Sequence, residues 1–83
     1  MKVMHEASIA FEIYTIVTDN VKAYKLKKVE AIYIKVGSFN GIFEDSLRFA
    51  FKAISKDSEC EEATLIIEHT EGFELLVDRI EGQ

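Results

Sequence analysis

The stretch 29–36, Val-Glu-Ala-Ile-Tyr-Ile-Lys-Val, limits the possible folds more than any other part of the chain. β-Branched and aromatic residues dominate it, which favours a strand. Glu30, Ile32, Ile34 and Val36 alternate with Val29, Ala31, Tyr33 and Lys35, and both sets are fairly apolar. Such a strand sits at the centre of a sheet or has its second face covered. The other segments must pack around it.

Before it, residues 8–24 have helical spacing, with Ile9, Ile13, Ile16, Val17, Val21 and Tyr24 on one face. Ser8 is a candidate cap, Glu6 suits the positive helix end, and a second candidate start lies nearer His5. After the strand, residues 37–41 form a loop in which Asn40-Gly41 is the turn signal. A second helix is expected over 43–55, with Leu47, Ala50, Phe51 and Ile54 buried and Glu44 and Asp45 in its first turn. Residues 56–62 read as an acidic surface loop. Strands follow over 63–70 and 73–80, separated by the short turn Glu71-Gly72, and the close spacing predicts an antiparallel hairpin. The order helix, strand, helix, strand, strand predicts an α+β fold, with a right-handed crossover between the first two strands. Both helices would pack on one face of a mixed three-stranded sheet.

At 83 residues the chain makes a single domain, and its 48% hydrophobic and 30% charged content is that of a folded globular protein. No apolar run reaches the roughly 18 residues needed to span a bilayer. Glu6 and Glu12 break any signal-peptide core, so the expected compartment is the cytoplasm. The net charge of −5 argues against nucleic acid as a partner. Lys22, Lys25, Lys27 and Lys28 form the one basic cluster, read as a solvated helix end rather than a dock for an acidic partner. Cys60 is alone, which rules out an internal disulfide or a Cys-x-x-Cys zinc site. Its neighbours Glu59, Glu61 and Glu62 disfavour the thiolate, so it reads as an incidental thiol. Asp19, Glu30, Asp57 and Asp78 are scattered over different elements, Ser8 and Ser38 have no evident His partner, and phosphate-loop patterns are absent. The chain does not read as an enzyme.

The segment Met4-His5-Glu6-Ala7-Ser8-Ile9-Ala10 resembles the opening of the HypA/HybF family, nickel-insertion accessory proteins of NiFe-hydrogenase maturation. Further along, Lys27-Lys28-Val29 leading to Ile34-Lys35-Val36-Gly37 resembles that family's first strand, and Leu47-Arg48-Phe49-Ala50-Phe51 its second helix. Glu62-Ala63-Thr64-Leu65-Ile66-Ile67-Glu68 resembles its second strand, and 74–81 its closing strand. The resemblance implies that residues 1–83 are a single nickel-binding domain. It also implies a departure: the family inserts a zinc domain with two Cys-x-x-Cys motifs between the last two strands. Here that domain is missing between about Glu68 and Phe73, through an engineered deletion or as a natural zinc-less relative. A second departure is Met1-Lys2-Val3 ahead of Met4, which moves the free amine away from His5.

What the resemblance implies for function is a metallochaperone that binds Ni(II) at its N-terminus, with a HypB-type GTPase and a hydrogenase large-subunit precursor as partners. The chemistry is reasonable. Ni(II) with nitrogen and oxygen donors favours planar coordination, and imidazole suits it. The His5 ring and amide would anchor the metal, and Glu6 or Met4 would supply further amide nitrogens. Glu6 would otherwise complement the helix dipole or contact the GTPase. Against this stands the simpler reading of His5 as a solvated terminal residue. His69, the other imidazole, reads as a surface residue, although a coordination position is left open if the zinc domain is gone. No structural zinc is expected. The competing function is a metal-free interaction or dimerisation scaffold, and a homodimer by strand exchange is expected because a shortened hinge favours swapping.

Overall fold

The computed structural model describes residues 5–83, the side chains of His5 and Asn40 excepted. In chain order its elements are α1 (His5–Tyr24), β1 (Val29–Gly37), a 3₁₀ turn (Ser38–Asn40), α2 (Glu44–Ser55), β2 (Thr64–Thr70) and β3 (Leu75–Gly82). The sheet runs β2-β1-β3, with β1 parallel to β2 and antiparallel to β3. This is the expected α+β fold with a mixed three-stranded sheet, and the two-faced strand lies at its centre.

The predicted hairpin between the last two strands does not form, because β2 and β3 occupy opposite edges of the sheet. The reason lies in their side chains. β1 buries Val29, Ala31, Ile32, Ile34 and Val36, whereas β2 fully buries only Leu65 and β3 fully buries none. Strands as polar as Glu68-His69 and Asp78-Arg79 suit edges, and placing both outside β1 buries the most apolar surface. The connection Glu71-Gly72-Phe73-Glu74 therefore crosses the end of β1 instead of turning back. It lies directly against that end: Gly37 N–H donates to the Glu74 carbonyl at 2.7 Å and Phe39 N–H to the Gly72 carbonyl at 2.9 Å. Gly37 has no room for a side chain, since a Cβ there would sit 2.3 Å from the Gly72 oxygen.

The core joins one face of the sheet to both helices. Ile9, Ala10, Ile13, Val17 and Val21 of α1 meet Leu47 and Phe51 of α2 and Ile32, Ile34, Val36 and Leu65 of the sheet. The Tyr14 ring meets Phe51 edge-on at 6.4 Å between centroids. Two residues of the predicted α1 stripe fall outside this core: Ile16 is 40% and Tyr24 73% exposed. Ile16 lies about 90° around the helix from the centre of the buried arc. Tyr24 is the last helical residue, just before Lys25 turns the chain at a φ of 56°. In α2, Ala50 and Ile54 are only half-buried, and Ser55 is buried in addition. Of the two candidate helix starts the earlier one holds: α1 already includes His5, so Ser8 lies within the helix and does not cap it.

The second face of β1 is covered by side chains of β3 rather than by another layer. The Arg79 guanidinium lies 4.1 Å above the Tyr33 ring, the Tyr33 hydroxyl donates to Glu81 at 3.3 Å, and Arg79 pairs with Glu81 at 3.2 Å.

The acidic loop after α2 is a surface loop except at one residue, because Cys60 is fully buried. Val29 N–H donates to the Glu59 carbonyl at 2.9 Å, which ties the loop to the start of β1 and turns Cys60 inward. Burial, more than the charge of Glu59, pushes its thiol pKa up. In the basic cluster only Lys22 belongs to the last turn of α1, and Lys28 is paired with Glu62 at 3.0 Å.

Candidate functional site

The start of α1, the start of α2 and the end of β2 meet at one end of the molecule. Two side-chain contacts bring them together. Glu6, in the first turn of α1, accepts a hydrogen bond at Oε2 from the backbone N–H of Phe43 at 3.1 Å. Phe43 is the N-cap of α2 in extended conformation, and its own side chain offers no cap. Glu6 thus supplies from another helix what the glutamate of a capping box supplies from its own. Its charge also lies near the positive ends of two helices.

The second contact involves the next residue. Glu44 opens α2, and its Oε2 accepts from Nε2–H of His69, the next-to-last residue of β2. Arg48, one turn on, approaches the other oxygen of Glu44 at 3.6 Å and donates from Nη1 to the Leu65 carbonyl of β2. The hydrogen bond from His69, foremost among these contacts, holds the Glu44 carboxyl below the usual carboxylate range. Beside this pair lies the β2–β3 connection, whose exposed Phe73 ring meets the exposed Phe39 ring of the 3₁₀ turn at 5.4 Å between centroids, tilted by 47°.

Of the residues singled out from sequence, Met4 lies outside the described residues and His5 is described by its backbone alone. Glu6 is half-buried, with one oxygen engaged by Phe43. Among the described residues no three His, Cys, Asp or Glu side chains form a group able to hold a metal ion. The His69–Glu44–Arg48 constellation was missed, since Glu44 read only as a charge suited to a helix start. Nothing in the spacing signals a contact across 25 positions; only the parallel placement of β2 beside β1 produces it.

A family model described as hydrogenase/urease nickel incorporation, metallochaperone, hypA matches residues 4–75. The chain belongs to the HypA family. The hydrogenase maturation factor HypA of Chlorobaculum parvum is 37% identical over 68 residues, which cover 82% of this chain and 60% of that protein. The HypA of Geotalea daltonii is 36% identical over 66 residues, covering 80% of this chain and 57% of that one. The chain thus spans about three fifths of the length of these relatives. Its fold is also that of the Ni metallochaperone HypA from Helicobacter pylori in solution, with a TM-score of 0.69 and 16% identity, covering 89% of this chain and 70% of the other. The match to the HypA family begins at Met4, so it takes in Met4-His5-Glu6. Among the described residues no helix is long and apolar enough to cross a membrane.

Proposed function

We propose that this chain is a nickel-carrying domain for hydrogenase maturation, binding Ni(II) through the His5 imidazole and neighbouring backbone nitrogens of His5, Glu6 and Met4. The observation that carries this reading is the family match through Met4-His5-Glu6, at the point where the chain enters α1. Imidazole and amide nitrogens suit planar Ni(II), and a carboxylate already bonded to Phe43 makes Glu6 a better amide donor than side-chain ligand. Nickel here is cargo, with a HypB-type GTPase and a hydrogenase large-subunit precursor as the proposed partners. The same reading has the family's zinc domain missing between about Glu68 and Phe73, leaving no structural zinc. It retains a homodimer by exchange of β3, which light scattering tests: a mass of one 9.5 kDa chain at all concentrations would rule that out.

Nickel calorimetry on three chains tests the binding site: the full chain, one beginning at Met4, and His5→Ala. His5→Ala is expected to lose the site and keep the fold. The trimmed chain is expected to bind more tightly, because its free amine stands next to His5. Affinity should fall as pH drops through about 6.5, where imidazole takes up its proton. Equal affinity in the full chain and His5→Ala would favour the metal-free scaffold instead.

A further inference from the structure

We propose that the outer edge of β2, together with α2 beside it, is a docking site for an extended acidic segment of a partner protein, which adds to the sheet as a fourth strand. The inference goes beyond the nickel reading and does not depend on it. It begins with the two edges of the sheet. β2 and β3 each leave one side of their backbone unpaired by a strand, and such an edge is a template for another chain. The β1–β3 pairing is interrupted twice, between Val29 and Ala31 and between Tyr33 and Ile34, where Asp78 opposes no residue of β1. Bulges of this kind bend a strand and blunt it against further pairing. The β1–β2 pairing has no such interruption, running one-to-one from Thr64 to Thr70. Of the two edges, β2 is the open one.

What stands beside that edge selects the occupant. α2 runs antiparallel alongside β2: Glu44 meets His69, Arg48 donates to the Leu65 carbonyl, and Lys52 and Ser55 line with Thr64 an open groove of about 450 Å³. Arg48, Lys52 and Lys56 follow at four-residue intervals and so form one cationic stripe on that side. Arg48 is held by Glu44, whereas Lys52 and Lys56 are exposed and take part in no ion pair among the described residues. The carboxylates of the facing loop are already engaged, since Glu62 pairs with Lys28 and Glu61 accepts from the Asp57 N–H. The spacing also suits a strand. Positions four apart on a helix rise about 6 Å, and alternate side chains of a strand stand about 6.6 Å apart. A strand with carboxylates at alternate positions would match the stripe on its α2 side and set its other side chains beside the exposed Ile66.

The test uses the full chain and a fluorescein-labelled peptide of Glu-Val repeats, with anisotropy for affinity and amide exchange for placement. The peptide should bind, bind less as salt is raised, and slow exchange within 64–70 but not within 75–82. The double variant Lys52→Glu/Lys56→Glu should lose about tenfold in affinity, whereas Lys22→Glu/Lys25→Glu, the same change of charge elsewhere, should not. Thermal melts check that both variants fold. A Lys-Val repeat should not bind, and N-methylation of every peptide amide should abolish binding, because an added strand pairs through its N–H groups. His5→Ala should bind the peptide as the parent does, which keeps this outcome separate from the nickel titration. The proposal is overturned if the Glu-Val peptide does not bind, if Lys52→Glu/Lys56→Glu or the N-methylated peptide binds equally well, or if the protection falls on β3. A single-stranded oligonucleotide binding in place of the peptide would also overturn it. So would slowed exchange within 64–70 on raising protein concentration alone, which would make the occupant a second copy of this chain.

Discussion

Leu47 is fully buried where α2 meets α1 and the sheet, in a domain small enough that one cavity matters. Leu47→Ala should cost about 3 kcal/mol, read from urea denaturation. Gly37 makes the opposite demand. A methyl group there meets the Gly72 oxygen and the Glu74 nitrogen, both backbone atoms, which cannot rotate aside. Gly37→Ala should cost about 2 kcal/mol and loosen the β2–β3 connection, seen as faster amide exchange at Phe39. Cys60 gives a pH signature. Its thiol keeps its proton above the ordinary value of 9.0 in the folded chain, whereas the unfolded chain releases it near that value. Stability from this residue is therefore intact below about pH 9 and lost as pH rises beyond it. Urea midpoints at pH 8 and pH 10 should fall further apart in the parent than in Cys60→Ala. The position of Cys60 was not legible in the sequence, because a lone thiol among glutamates gives no sign of facing inward. That its thiolate is disfavoured was legible, although burial outweighs the charges that suggested it.

Among the elements, the central strand was the most legible, since two apolar faces over eight residues leave few places for it. The helices were nearly as clear, and Ile16 and Tyr24 mark where periodicity says more about a helix than the surface it packs on can accept. Strand pairing was not legible. The short gap between β2 and β3 looks like a hairpin locally, and only the demand of β1 for partners on both sides overrides it. The candidate site divides in the same way. Met4-His5-Glu6 stands out in the sequence, whereas the link from Glu6 to α2 and the pair Glu44–His69 arise from topology. That link has its own test. Glu6→Ala should cost about 1 kcal/mol by leaving the Phe43 N–H without its protein partner, while Glu6→Gln, which keeps an acceptor oxygen, should cost less. Equal losses would mean that charge near the helix ends outweighs the hydrogen bond.

For the molecule as a whole, stability rests on packing between two helices and one sheet face. A chelator should leave the circular dichroism melt unchanged, and a large fall in melting temperature would point to a structural metal. The same architecture governs how the domain could carry a passenger. The β2–β3 connection bridges the two outer edges of a three-stranded sheet, so its ends are about 10 Å apart, two strand spacings. A module spliced into it would be tethered at both ends across the tip of β1, with little freedom to swing away. Its own termini would have to match that gap, and its surface would be held over the Phe39–Phe73 rings and the His69 imidazole. The crossover is in effect a two-point mount, and it aims whatever it bears at the end of the domain where α1 begins.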